Sequence, residues 1–341
     1  MIVLTTPPRW KWRTMLKRIL PWLIKGGISV ALIVWVLARA DLSMVGQQIS
    51  QLGWRPVVVA LLLLQIQTVV GAVRWGFVLR ALSASLSWGR TCAVYFISVF
   101  FAIVLPGAVG GDAVRMWFSR KVGLSVSSSV NSVLLERAMT VFALIMLVCL
   151  TQPILAARVP NLPASWLFPV LLAVSILGIL TLASLDRLPQ RWMVWKPLAA
   201  IIRVAADTRR LFFHPGWSLL TLLIALFGHI NLALSVYVLA DGMGIPLHVL
   251  DCLVLVPPVI LVMTLPISIS GWGVRETAMV TAFSYVGVES GQALALSILF
   301  GLVTMVGTFP GGVIFLLMRQ QSQTPESGSA DDSADISSNS R

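Results

Sequence analysis

The chain has 341 residues, of which 57% are hydrophobic and 11% charged, and its mean hydropathy is +0.90. Such a composition leaves too little polar surface for a soluble globule and predicts an all-α protein that crosses the membrane several times. The formal net charge of +12 lies in short segments beside apolar runs, as cytoplasmic retention and anionic lipid headgroups require. Nucleic acid is therefore not expected as a partner.

Six long apolar runs follow a basic N-terminal segment, residues 1–18. Each has close to the ~20 residues that a helix needs to cross a bilayer. They are Ile19–Ala38, Val57–Val73, Val133–Gln152, Leu167–Leu185, Ser218–Ala240 and Ala293–Met318. Two shorter runs, Cys92–Leu105 and Leu253–Leu265, each end in a motif of proline and small residues. By length alone, each short run predicts either a broken, re-entrant hairpin or a full crossing.

The two short runs lead into similar sequences. The stretch Leu105-Pro-Gly-Ala-Val-Gly-Gly-Asp-Ala-Val-Arg115 recurs in outline at Leu265-Pro-Ile-Ser-Ile-Ser-Gly-Trp-Gly-Val-Arg275, 160 residues later. Leu, Pro, Gly, Val and Arg repeat in register, and the same shift brings flanking spans onto each other. Paired breaks in corresponding hydrophobic segments indicate internal repeats with a transport site between them.

The distribution of charge predicts how these repeats are oriented. Lys and Arg concentrate on the cytoplasmic side, and the most basic segment, Arg187–Arg210, would lie outside if Cys92–Leu105 crossed fully. A re-entrant first hairpin keeps every basic cluster inside, and the second hairpin then enters from the opposite side. We expect six full spans and two re-entrant helical hairpins in two inverted-topology repeats, residues 19–152 and 153–318, in the inner (plasma) membrane of the cell with both termini cytoplasmic.

Two segments outside the spans have distinct compositions. Residues 186–215 mix basic and apolar residues in a roughly helical rhythm, which is typical of a linker on the membrane surface. The tail, residues 319–341, is rich in Ser, Asp and Gln and contains one Ile. We expect this tail to be disordered in the cytoplasm because it cannot bury a core.

The first motif contains the first set of candidate hinges. Pro106 removes a backbone donor, and Gly107, Gly110 and Gly111 permit turns that a continuous helix does not make. An opened backbone, with the positive end of the next helix near Asp112, suits an anionic headgroup. The alternative is that these glycines only allow close helix packing.

Charged residues beside the motifs are the candidate substrate-binding groups. Asp112 and Arg115 are three residues apart, so they share a helix face and can pair while Arg115 stays able to bind a phosphate; the alternative is an interfacial ion pair that serves topology. In the second motif, Arg275 and Glu276 are the candidates. An arginine on the outer side departs from the positive-inside bias, which predicts phosphate binding by Arg275. The candidate hinges of the second motif are Pro266, Gly271 and Gly273.

Three further charged residues lie at or near the ends of spans. Glu136 and Arg137 open one span, and a charge at bilayer depth costs ~3 kcal/mol or more unless it is paired, so they either pair, function or stay at the interface. Arg74 is a candidate site residue or an ordinary snorkelling anchor. Polar residues inside spans are expected to bond neighbouring helices; they are Gln65, Gln67, His229 and Asn231.

This pattern resembles the lysylphosphatidylglycerol synthase transmembrane-region family, also called flippase-like domain proteins. The residues that carry the resemblance are Arg74-Trp75, Tyr95-Phe96, Phe100-Phe101, Leu105-Pro-Gly, Gly110-Gly111-Asp112, Arg115, Glu136-Arg137, Pro266, Gly271, Gly273 and Arg275-Glu276. In bifunctional family members this membrane region is associated with moving an aminoacylated phospholipid between leaflets, and a separate cytosolic domain makes that lipid. The resemblance therefore implies a flippase-like role here without the aminoacyl-transferase domain.

We expect a transporter of a phospholipid or polyprenyl-linked lipid headgroup, with a membrane lipid that carries an anionic headgroup as its partner. Two alternatives stay open: a polytopic lipid-linked glycosyl or acyl transferase, with Asp112 or Glu136 as base or metal ligand, and a membrane scaffold for a lipid-modifying enzyme. Acidic residues are few and no Asp-rich motif occurs, which favours transport over catalysis. The three cysteines lie in apolar runs without ligand spacing, so no metal or cofactor is expected.

Overall fold

Helices make up the described part of the chain. A computed structural model describes residues 52–105, 110–159, 165–188, 196–265 and 272–321, and no strand occurs among them. The helices are α1 (Trp54–Ala81), α2 (Trp88–Val104), α3 (Gly110–Lys121), α4 (Val126–Arg158), α5 (Leu167–Ser184), α6 (Lys196–Phe212), α7 (Pro215–Gly242), α8 (Val249–Met263), α9 (Val274–Ser284), α10 (Ser290–Gly307) and α11 (Phe309–Gln321). The predicted all-α class is confirmed.

Five helical segments within the described ranges are long and apolar enough to cross a membrane. They are Trp54–Ala81, Val126–Ala157, Leu167–Arg187, Pro215–Gly242 and Ser290–Arg319, the last of which joins α10 and α11. Each contains one of the predicted runs, so the chain is a multi-pass membrane protein. The first predicted span, Ile19–Ala38, lies outside the described residues, as do the basic N-terminus and the tail beyond Gln321.

The two short apolar runs form short helices. Helix α2 has 17 residues and α8 has 15, fewer than the ~20 that span a bilayer. Helix α2 packs against α3, and α8 packs against α9. Both motifs therefore follow a short apolar helix and precede a second helix packed against it.

Helix packing in the first half of the chain has a counterpart in the second half. Helices α1 and α7 pack together at the centre. Helix α2 packs on α1 and α3, as α8 packs on α7 and α9. Across the two halves, α4 packs on α7 as α10 packs on α1, and α2 packs on α11 as α8 packs on α4.

Helices α5 and α6 stand apart from this correspondence. Helix α5 contacts α4 and α6, and only 6% of its apolar window is buried. Helix α6 lies within the linker predicted over residues 186–215 and packs against α5 and α7.

Candidate functional site

Five of the seven predicted substrate-binding residues lie together. Arg74 is on α1, Asp112 and Arg115 are on α3, and Glu136 and Arg137 are on α4. Helices α1 and α3 both pack against α4, so residues from distant parts of the sequence form one group, which we name the arginine cluster.

Glu136 is the centre of the arginine cluster. Its Oε1 accepts a hydrogen bond from Arg74 Nε at 2.9 Å and another from Arg74 Nη2. Its Oε2 accepts from Arg115 Nη2 at 2.9 Å, and Thr140 Oγ1 donates to Oε1 at 3.3 Å. Only 2% of the Glu136 side chain is exposed, so this carboxylate is fully buried and compensated by two guanidinium groups.

These contacts decide between the alternatives for Arg74 and Glu136. Arg74 is buried, with 5% exposure, and two of its nitrogens bind one carboxylate oxygen. The snorkelling interpretation of Arg74 is therefore wrong, because a snorkelling side chain extends its charge to water. Glu136 is likewise an internal partner, whereas Arg137 remains 54% exposed at the edge of the cluster.

Asp112 connects Arg115 to Arg137. Its Oδ1 accepts from Arg115 Nη2 at 3.0 Å, as the three-residue spacing predicted, and its Oδ2 accepts from Arg137 Nε at 2.7 Å. The Asp112 side chain is 13% exposed. The cluster therefore runs from the buried Arg74 to the half-exposed Arg137 in an unbroken series of charge-assisted bonds.

Two aromatic rings flank Arg115. Its guanidinium carbon lies 5.4 Å from the Trp75 ring centre and 5.1 Å from the Tyr95 ring centre, within the range of cation–π attraction. Trp75 is held in place because its Nε1 donates to Ser132 Oγ at 3.2 Å. In the sequence, Trp75 and Tyr95 stand only among the residues of the family resemblance, with no predicted role. The available signal was the position of Trp75 next to Arg74, and no comparable signal marks Tyr95.

The cluster has donor capacity and charge left over. Three guanidinium groups face two carboxylates, which leaves one positive charge. Arg115 is 2% exposed, and its Nε is buried without a hydrogen-bond partner in the described ranges. A cavity of about 70 Å³ adjoins these groups. It is lined by Arg74, Tyr95, Ser98, Val99, Ala102, Gly111, Asp112, Arg115, Glu136 and Arg137.

The glycines of the first motif that the structure describes lie where α3 approaches α2. A Cβ on Gly111 would stand 2.5 Å from the Ser98 carbonyl oxygen and 2.7 Å from the Ala102 Cβ, and one on Gly110 would stand 2.9 Å from Leu105 Cβ. Close helix packing therefore requires both glycines, as the alternative interpretation stated. Pro106 and Gly107 lie outside the described residues.

The second motif forms a separate, buried ion pair. Arg275 Nε and Nη2 donate to Glu276 Oε1 at 3.1 and 2.5 Å, and Arg275 Nε lies 3.3 Å from Ser297 Oγ. The guanidinium carbon lies 4.6 Å from the Trp272 ring centre. Both side chains are buried, and the pair has no net charge.

Glu276 also fixes the start of α9. Its Oε2 accepts from the backbone nitrogen of Gly273 at 2.6 Å, and Gly273 adopts a φ of 82°, a conformation that favours glycine. A side chain on Gly301 of α10 would collide with the Arg275 guanidinium. Pro266 and Gly271 lie outside the described residues.

Polar residues within the spans bond neighbouring helices, as predicted. His229 Nε2 donates to the Thr140 carbonyl oxygen at 3.1 Å. Asn231 Nδ2 donates to the Leu63 carbonyl oxygen at 2.9 Å, and Gln65 Nε2 donates to that of Gly307 at 2.7 Å. These bonds join α7 to α4, α7 to α1, and α1 to α10, so they stabilise the helix bundle.

The fold and the cluster together define a multi-pass helical membrane protein with buried charges beside two short helices, α2 and α3, that pack against each other. The chain belongs to the family described as the lysylphosphatidylglycerol synthase TM region, which it matches over residues 22–311, and the resemblance inferred from the motifs is confirmed. A comparison with curated proteins found no match.

Proposed function

We propose that this protein moves a lipid between membrane leaflets and binds the phosphate of its headgroup at the arginine cluster. The observation that carries this proposal is the Nε of the buried Arg115, which has no hydrogen-bond partner among the described residues, in a cluster with one excess positive charge. A buried donor without a partner costs roughly 1–3 kcal/mol or more when it belongs to a charged group. An anionic ligand that accepts from this nitrogen removes that cost.

Arginine chemistry favours a phosphate as the bound group. The planar guanidinium presents several donors in a fork that matches phosphate oxygens. Arg115 uses Nη2 for both Asp112 and Glu136, which leaves its Nε for the ligand. The half-exposed Arg137 supplies a second contact toward the outside of the cluster, and Asp112 is the internal anion with which the phosphate competes.

The paired helix contacts support a two-repeat transport mechanism. We propose that α1 to α4 and α7 to α11 are inverted-topology repeats, because each packing contact within one half has its counterpart in the other. Such repeats typically carry their substrate site near the bilayer midplane on discontinuous helices and move against each other to alternate access. Helices α2 and α8, too short to span, are the re-entrant helices of the two repeats.

Arg275 of the second motif has a conditional role in phosphate binding. Arg275 binds phosphate only when the ligand displaces Glu276, which holds two of its nitrogens. The full arrangement includes a sixth span, Ile19–Ala38, with the basic segments and both termini on the cytoplasmic side of the inner membrane. The transported lipid is a phospholipid or a polyprenyl-linked lipid.

The direct test measures translocation of fluorescent short-chain lipids of varied headgroup in proteoliposomes, by quenching label in the outer leaflet. We expect Arg115→Gln to abolish translocation and Arg120→Gln to leave it unchanged, because Arg120 is exposed on the same helix. Thermal unfolding of Arg115→Gln in detergent, compared with that of Arg120→Gln, controls for misfolding. Unchanged translocation by folded Arg115→Gln protein would refute the site.

Two further outcomes of this test favour the alternatives. If no lipid moves but purified protein converts a lipid-linked substrate, Asp112 or Glu136 acts as an acid or base and the protein is a transferase. If cluster variants are silent while changes in α6 or the tail abolish a partner enzyme's activity, the protein is a scaffold.

A further inference from the structure

A second cavity lies at the end of α5, and it shares no residue with the cavity of the arginine cluster. Its volume is about 410 Å³, within the roughly 300–1,000 Å³ of typical ligand pockets. It is lined by Leu180, Ala183, Ser184, Arg187, Arg209 and Phe213. Apolar groups thus line the cavity together with two arginines, one from each side of the α5–α6 junction.

This cavity lies at the membrane surface. Helix α5 is the most apolar of the candidate spans, with a mean hydropathy of 2.3, and 6% of that window is buried, so the described helices leave nearly all of its surface open to lipid. The apolar run ends at Asp186 and Arg187, where the chain leaves the hydrocarbon. The cavity begins at Leu180 and includes Arg187, so it extends across the depth at which lipid phosphates lie.

Helix α6 forms the other side of the cavity and has the pattern of a surface helix. Its buried residues recur every three positions, and its arginines are largely exposed. The buried residues are Ala199, Ile202, Ala205, Thr208 and Leu211. The apolar face of α6 packs against α5 and α7, and its exposed basic face attracts anionic lipids at the membrane surface.

The charges at the cavity do not cancel. Arg209 Nη1 binds Asp186 Oδ2 at 2.9 Å, whereas Arg187 is exposed and forms no ion pair within the described ranges. Arg210 lies 3.7 Å from Asp207, whose other oxygen accepts from Asn131 Nδ2 at 2.6 Å. One guanidinium beside the cavity is therefore available to an external anion.

We propose that this cavity binds the headgroup of an anionic phospholipid of the surrounding leaflet. Arg187 and Arg209 contact the phosphate, and Leu180, Ala183 and Phe213 contact the glycerol and upper acyl chains. The occupant is a lipid rather than a free phosphate because half of the lining is apolar and the adjoining face of α5 lies in hydrocarbon. The site is separate from the transported lipid and anchors the α5–α6 junction to the membrane surface.

Native mass spectrometry of the full chain in mild detergent tests this site. Phosphatidylserine and phosphatidylcholine of identical acyl chains are titrated separately, and bound lipid is counted. We expect wild type to prefer phosphatidylserine and Arg187→Gln/Arg209→Gln to lose about thirtyfold in phosphatidylserine affinity, because each of the two arginines contributes ~1 kcal/mol near an anionic headgroup. Arg90→Gln/Arg319→Gln removes the same charge from exposed positions elsewhere and is expected to retain the preference.

A second variant separates a shaped site from diffuse attraction. Ser184→Trp places a large side chain in the cavity at an exposed position without changing any charge, and we expect it to weaken phosphatidylserine binding to the level of the double arginine variant. Wild-type affinity in Ser184→Trp, equal losses in both double variants, or equal binding of the two lipids would each overturn the proposal. The assay measures binding and not translocation, so its failure is distinct from failure of the arginine cluster as a transport site.

Discussion

The arginine cluster and the Arg275–Glu276 pair arise from corresponding motifs, yet they differ in what they can still bind. Both are buried, and in both an arginine lies against an aromatic ring and a carboxylate. In the cluster, an extra arginine remains beside a cavity, and the Nε of Arg115 has no hydrogen-bond partner in the part of the chain that the structure describes. In the pair, a single carboxylate neutralises Arg275, and Ser297 lies within hydrogen-bonding distance of its Nε.

A repeated sequence motif therefore does not guarantee a repeated anion-binding site. The residue 160 positions after Glu136 is Leu296, and the one after Arg74 is Leu234, so the second half lacks the partners that build the cluster. Glu276 instead serves its own helix, by accepting from Gly273. We therefore expect the first half to bind the anion and the second half to be mainly an element of stability.

The largest expected loss of stability comes from replacing Glu136, the centre of the arginine cluster. Glu136→Ala leaves Arg74 and Arg115 without their buried counter-ion, which costs roughly 3–5 kcal/mol when one partner of a buried pair is removed. Thermal unfolding in detergent measures this loss, with Glu289→Ala, at an exposed position, as the control. Equal stability of the two variants would contradict the central role of Glu136.

Gly111→Ala tests the close packing of α3 on α2 without changing any charge. Gly111→Ala drives a Cβ against the Ser98 carbonyl oxygen and Ala102, and overpacking of this kind costs roughly 1–3 kcal/mol. The control is Gly178→Ala in α5, where a Cβ meets nothing within 4 Å. We expect unfolding temperatures to fall only for Gly111→Ala; a fall in both would point to a general intolerance of added methyl groups.

In the second half, Ser297→Ala tests how tightly the pair is enclosed. The change removes the hydroxyl at 3.3 Å from Arg275 Nε, and a typical hydrogen bond contributes roughly 0.5–1.5 kcal/mol. We expect a small loss of stability with translocation retained. Loss of translocation at wild-type stability would show that the second site takes part in transport as directly as the first.

The smallest expected effect on stability comes from Arg137→Gln. Its partner Asp112 still accepts a hydrogen bond from Arg115, and a half-exposed ion pair contributes roughly 0–1 kcal/mol to stability. We expect near-normal unfolding but slower translocation, because Arg137 is the cluster arginine nearest the exterior. Proteoliposome rates at low and high salt measure this, and a rate equal to wild type under both conditions would remove Arg137 from the site.

Much of the architecture could be predicted because long apolar runs have few structural solutions. Five predicted spans lie within described helices, and the spacing of Asp112 and Arg115 predicted their ion pair. The pairing of Arg74 with Glu136 could not be derived, because 62 residues separate them and only helix packing brings them together. The same holds for the rings around Arg115, which come from α1 and α2.

The contact between Arg275 and Glu276 also could not be predicted from the sequence. Arg275 and Glu276 are adjacent in sequence, a spacing at which helical side chains do not normally face each other. Their contact arises because Glu276 turns back to Gly273 at the start of α9 and Gly301 leaves room for the guanidinium. The space left by Gly301 on α10 thus determines how Arg275 is held.

The most direct measurement compares Arg115→Lys with Arg275→Lys in the same translocation assay. Lysine keeps the charge but loses the fork of donors, so the comparison isolates guanidinium geometry at each site. We expect Arg115→Lys to abolish translocation and Arg275→Lys to retain most of it, with both proteins folded. Full translocation by Arg115→Lys, or a greater loss in Arg275→Lys, would contradict the assignment of the phosphate to the arginine cluster.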